Sequence, residues 1–120
     1  RLVGSEMCIR DRGHIVLIGS MSADVRESGG SIYVATKSGI QGFAESLRKE
    51  VNKLGIKVTL IEPGTVGSDM QKNPETHAKQ ADELKMLKAE DIAACVHYCL
   101  TQPKRCDVVN VSIRPHLQEI

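Results

Sequence analysis

The sequence predicts an α/β fold: a doubly wound parallel sheet of which only the later half is present, as three strands with crossover helices. Three short aliphatic runs, His14–Gly19, Ile56–Glu62 and Asp107–Ile113, are separated by stretches of helical periodicity. The first is continuous rather than alternating in polarity, the pattern of a strand covered on both faces. The length of 120 residues allows one domain.

Each element has its own local reason. His14–Gly19 is rich in β-branched residues and ends in Gly and Ser, so it is expected to be a strand. Residues 20–32 are rich in Ser, Gly and charge and predict a loop. Ile40, Ala44, Leu47, Val51 and Leu54 recur at spacings of 4, 3, 4 and 3. That stripe predicts one long helix over about 31–53, ended by Gly55. Ile56–Glu62 is the second strand, stopped by Pro63-Gly64. Residues 75–87 are polar and Lys-rich, with weak helical periodicity. Glu90–Thr101 predicts a helix with Ile92, Cys95, Val96, Cys99 and Leu100 inward and Pro103 beyond its end. Asp107–Ile113 is the third strand. The first strand is too apolar for a protected sheet edge, so further strands are expected before it.

Residues 1–12 follow neither period, and Val3–Arg12 resembles a translated sequencing-adapter scar. They are read as a non-native or disordered tail, leaving 13–120 as the C-terminal half of a catalytic domain.

Composition excludes several functional classes. A net charge of +1 offers no footprint for a polyanion, so no nucleic-acid partner is expected. One Phe, two Tyr and no Trp leave an aliphatic core and no base-stacking platform. The longest purely aliphatic run, Ile15–Ile18, is far below the ~20 residues of a membrane span, so no membrane partner is expected either. Four irregularly spaced Cys read as thiols of a cytoplasmic protein. Cys95 and Cys99 share a helix face, His97 points elsewhere, and no Cys-x-x-Cys pair exists, so buried thiols are expected there and no metal.

Ligands of open α/β sheets bind at the carboxyl ends of strands. Here those ends are Gly19-Ser20-Met21-Ser22 and Pro63-Gly64-Thr65-Val66-Gly67-Ser68. Tyr33 and Lys37 open the long helix with i, i+4 spacing, which puts phenol and ammonium on one face. A cation one turn away favours the phenolate, so this Tyr is suited to exchange a proton with a substrate oxygen. Ser20 is placed to hydrogen-bond the same oxygen. Singly, each feature has a plain structural role as helix surface, cap or turn. Together they converge on one sheet edge.

At these residues the sequence resembles the short-chain dehydrogenase/reductase family. Gly19-Ser20 is followed by Tyr33-Val34-Ala35-Thr36-Lys37 as Y-x-x-x-K, with Ser20 at the family's separation of 13 residues before Tyr33. Pro63–Ser68 matches P-G-x-V-x-T with Ser for the last Thr, which keeps the hydroxyl. The resemblance implies a Rossmann-like sheet and an NAD(P)-dependent oxidoreductase, NADP slightly favoured, acting on a small alcohol or carbonyl substrate. It implies Tyr33 as acid/base and Ser20 as the residue that positions the substrate oxygen. Lys37 would favour the Tyr33 phenolate and hold the nicotinamide ribose. Pro63, Gly64, Thr65, Val66 and Ser68 would meet the nicotinamide, Thr65 and Val66 through backbone groups and Ser68 through its hydroxyl. Residues 69–87 would cover the substrate. The tail Asn110–Gln118 looks like that of members acting on small hydroxy acids.

The ten Gly contain no dinucleotide fingerprint before the first strand, and the residues that tell NAD from NADP are absent. The isolated chain is therefore expected to be inactive. Gly39 and Gly42 are expected to allow close helix packing, in keeping with a homo-oligomer of the full-length protein. Two other readings stay open: a non-catalytic oligomerisation or binding module on the same fold, and an isomerase or epimerase using the same Tyr–Lys pair.

Overall fold

The strands β1 (Gly13–Ile18), β2 (Ile56–Pro63) and β3 (Asn110–Ile113) form one parallel sheet in the order β1-β2-β3. The computed structural model describes residues 13–67 and 83–118. Ile18 lies opposite Ile61 and Pro63 opposite Ile113, so the carboxyl ends of the strands gather at one edge. The helices are α1 (Ser22–Val25), α2 (Ser31–Val51) and α3 (Ala89–Leu100). The tail 1–12 lies outside the described residues.

β2 takes the middle place in the sheet and is the most buried of the three strands. Val58 and Leu60 are 2% and 4% exposed and form the core with Ala44 of α2. Ile40, Leu47 and Val51 of α2 and Ile15 and Leu17 of β1 pack against them. The other face of β2 carries Thr59 and Ile61, both fully buried. α3 packs on β2 and buries Cys99. Burial, together with the neighbouring Cys95, pushes the Cys99 thiol above its ordinary range.

Four expectations change at the element ends. α2 stops at Val51 and tightens into a 3₁₀ turn, Asn52–Leu54, closed by Gly55 at φ 80°. The tighter winding swings Leu54 off the buried stripe, leaving it 62% exposed. Leu100, at the last residue of α3, is also exposed. One helical turn, α1, stands where the composition predicted only loop. The third strand begins at Asn110, not Asp107, because side chains of β2 capture the carbonyls before it. Lys57 Nζ donates to Pro103 O at 2.8 Å and Cys106 O at 2.6 Å, and Thr59 Oγ1 donates to Val108 O at 2.6 Å.

Thr59 Oγ1 also meets His14 Nε2 at 2.7 Å. Its proton is committed to Val108 O, so the ring nitrogen donates. Burial, then the Lys57 charge, lowers the His14 pKa from its ordinary 6.5, with Asp107 opposing. The folded chain therefore takes up this proton less readily than the unfolded one. The stabilisation is present above about 6.5 and is lost as pH falls through the depressed folded value. Urea unfolding at stepped pH checks this: the loss below about pH 6.5 should flatten in His14→Gln.

Candidate active site

The first piece of the site follows β1. Gly19 N–H bonds Ile61 O at 2.7 Å, extending the ladder one step past the strand. A Cβ at Gly19 would sit 3.1 Å from Leu60 Cδ1, so the close approach of β1 to β2 here favours glycine. Ser20 comes next and is buried. Its Oγ accepts the Ser22 N–H at 3.1 Å, which fixes the start of α1 and leaves the hydroxyl proton to donate elsewhere. Met21 N–H bonds Pro63 O at 3.1 Å, holding the Ser20 segment against the end of β2.

The second piece is the first turns of α2. Tyr33 and Lys37 lie one turn apart, and the Lys37 ammonium sits 5.5 Å from the centre of the Tyr33 ring. That is within range of direct attraction between cation and ring. Tyr33 is half exposed, so its phenol is open to a ligand.

The third piece is the turn after β2. Gly64 N–H bonds Ile113 O at 2.8 Å. A Cβ on Gly64 would displace the Gln118 amide and crowd Pro115, so the close approach here favours glycine. Thr65 is fully engaged: its N–H donates to Gln118 Oε1 at 3.1 Å and its hydroxyl accepts from Gln118 Nε2 at 2.9 Å. Its carbonyl takes the Leu87 N–H at 2.8 Å. Val66 differs. Among the described residues neither its N–H nor its C=O has a partner. Together they offer one donor and one acceptor, the complement of a carboxamide. The Thr65 N–H and C=O, expected with those of Val66 to meet the nicotinamide, are engaged within the chain. Ser68 and residues 69–82 of the expected covering segment lie outside the described residues.

Three residues here were not singled out by sequence. Glu62 is 1% exposed, with Gln41 Nε2 at 2.7 Å and Asn110 Nδ2 at 3.1 Å. Gln118 holds Thr65. For Glu62 the signal was an acid inside an aliphatic strand. Gln41 carried a signal only in hindsight, as the next member of the i+4 row through Tyr33 and Lys37. Among the described residues no group of three or more His, Cys, Asp or Glu comes together as a metal site, and no helix is long and apolar enough to cross a membrane.

Comparison with known proteins gives this arrangement its context. A family model described as short chain dehydrogenase matches residues 1–79. The chain belongs to the short-chain dehydrogenase family. The match takes in residues 1–12, which the sequence pattern set apart. The chain is 40% identical over 103 residues to an uncharacterized oxidoreductase of Staphylococcus epidermidis, covering 86% of this chain and 43% of the relative. An uncharacterized oxidoreductase of Staphylococcus aureus is 37% identical over 109 residues, 91% of this chain and 45% of the relative. The chain thus spans about half the length of the curated short-chain dehydrogenase relatives it matches. Among solved structures, serine dehydrogenase from Escherichia coli superposes with a TM-score of 0.76 at 29% identity, over all of this chain and 48% of that one. A closed form of serine dehydrogenase complexed with NADP+ gives 0.79 at 29% identity, over all of this chain and 51% of that one. These neighbours place the three parallel strands within a Rossmann-like sheet.

Proposed function

We propose that the full-length protein carrying this chain is an NADP-dependent oxidoreductase of a small hydroxy acid and its carbonyl partner, with Tyr33 as acid/base. The observation that carries the reading is the Tyr33–Lys37 pair, 5.5 Å from ammonium to ring centre. The chain's family uses nicotinamide nucleotides, which supply hydride exchange at C4 of the ring when bound. NADP and a hydroxy acid are favoured because the serine dehydrogenase neighbour was solved with NADP+.

The chain's own residues divide the work. Tyr33 gives its proton to the substrate oxygen in reduction and takes it back in oxidation. The Lys37 ammonium would stabilise the phenolate left behind and would hold the nicotinamide ribose hydroxyls. Ser20 donates to the same substrate oxygen, its O–H proton being left available when its oxygen accepts the Ser22 N–H. Val66 N–H and C=O orient the carboxamide. Ser68 is proposed to add its hydroxyl there, and Pro63 and Gly64 shape the turn. The cytoplasm is the proposed compartment, supported by the free thiols Cys95, Cys99 and Cys106. A homo-oligomer of the full-length protein is proposed with it.

The test is NADPH formation by the full-length protein with NADP+ and L-serine, other short 3-hydroxy acids and simple secondary alcohols. Oxidation of a hydroxy acid above the alcohols is the expected result. Nucleotide binding without turnover of any compound would favour the non-catalytic module instead. Epimerisation without net NADPH would favour the isomerase.

A further inference from the structure

Gln41 continues the row of Tyr33 and Lys37 on α2, eight and four residues further along the same face. Its single amide nitrogen makes two bonds. It donates to Asp24 Oδ1 at 2.9 Å and to Glu62 Oε2 at 2.7 Å. Asp24 lies in α1, the turn that Ser20 starts. Glu62 is the residue before Pro63-Gly64, and its other oxygen accepts Asn110 Nδ2 at 3.1 Å from β3. One side chain therefore ties together the segment after Ser20, the helix of Tyr33 and Lys37, and the strand end that leads to Val66. Its acceptor in the interior is a carboxylate 1% exposed, whose hydrogen-bond partners among the described residues are two neutral amides. A buried carboxylate holds such donors firmly, because losing one leaves charge unsatisfied.

We propose that Gln41 is a positioning residue, which through Asp24 and Glu62 sets the placement of Tyr33 relative to Ser20 and the Pro63–Val66 turn. The proposal rests on the reading of Tyr33 as acid/base. Gln41 touches no reacting atom in that reading; it acts by fixing distances to which proton transfer is steep. Displacement of about 1 Å costs on the order of a hundredfold in rate.

The test uses the full-length protein and Gln41→Met, which keeps the side-chain length and removes both bonds. Gln41→Met/Glu62→Met replaces both partners of the bond to the buried carboxylate by apolar groups and protects against a folding defect. Hydrogen exchange, which needs no substrate, is the first readout. Amides of Ala23–Arg26 and of Gly64, Thr65 and Gly67 should exchange at least about tenfold faster in both variants, while those of Ile15–Leu17 stay unchanged. Turnover of L-serine with NADP+ is the second. kcat should fall about ten- to a hundredfold with the KM for NADP+ nearly constant. On a Tyr33→Phe background, Gln41→Met should cost nothing further, because the group it positions is gone. Unchanged exchange in both segments overturns the proposal, as does an equal kcat loss with and without Tyr33. Failure of the underlying reading looks different: Tyr33→Phe would itself keep turnover, whatever Gln41→Met does.

Discussion

Tyr33→Phe is expected to abolish nearly all turnover of the full-length enzyme while leaving nucleotide affinity close to wild type. The substitution removes one oxygen from a half-exposed ring. Ring stacking under the Lys37 ammonium survives, so the helix face and its attraction for the cofactor persist. The proposed proton transfer at Tyr33 does not survive, and general acid/base catalysis of this kind contributes ~10²–10⁴-fold. The two effects separate in one pair of measurements, NADPH fluorescence titration for binding and steady-state NADPH formation for turnover. A variant that binds and still turns over within a few-fold of wild type would require another acid/base. Ser20, a buried hydroxyl at the end of β1, would be the first candidate to replace next.

How much of this was legible beforehand varies with the physics of each residue. The Ser20, Tyr33 and Lys37 spacing could be read directly, because helical period and strand polarity place residues without knowledge of tertiary contacts. The sheet was legible for the same reason: Val58, Leu60 and Ile61 announce a buried strand. What escaped were contacts distant in sequence. Lys57 and Thr59 claim carbonyls of Pro103, Cys106 and Val108, over forty residues away, and so shorten the third strand. Gln118 claims the N–H and hydroxyl of Thr65 across a separation of 53 residues. Leu54 was misplaced for a local reason: a 3₁₀ turn changes the period at the point where a helical stripe was extrapolated. Polar side chains that bond across elements carry no periodic signature, and Gln41 and Glu62 are the clearest cases.

Ile61→Ala is the stability counterpart of Tyr33→Phe and should produce the opposite pattern. Ile61 is fully buried on the central strand, between Ile18 of β1 and Val111 of β3 in register. Its carbonyl accepts the Gly19 N–H at 2.7 Å, a backbone bond that the substitution leaves in place. The loss is therefore one of packing. Three carbons go, neighbouring strands collapse only partly, and a cost of about 2–5 kcal/mol is expected. The strand continues into Glu62 and Pro63, yet their bonds to Gln41, Asn110 and Met21 hold the edge independently of this side chain. Urea unfolding of the full-length protein should show a clearly lowered midpoint. Turnover in the absence of urea, per folded molecule, should stay within a few-fold of wild type. If turnover per folded molecule instead fell as far as in Tyr33→Phe, the site edge would depend on the packing of β2 rather than on its polar ties.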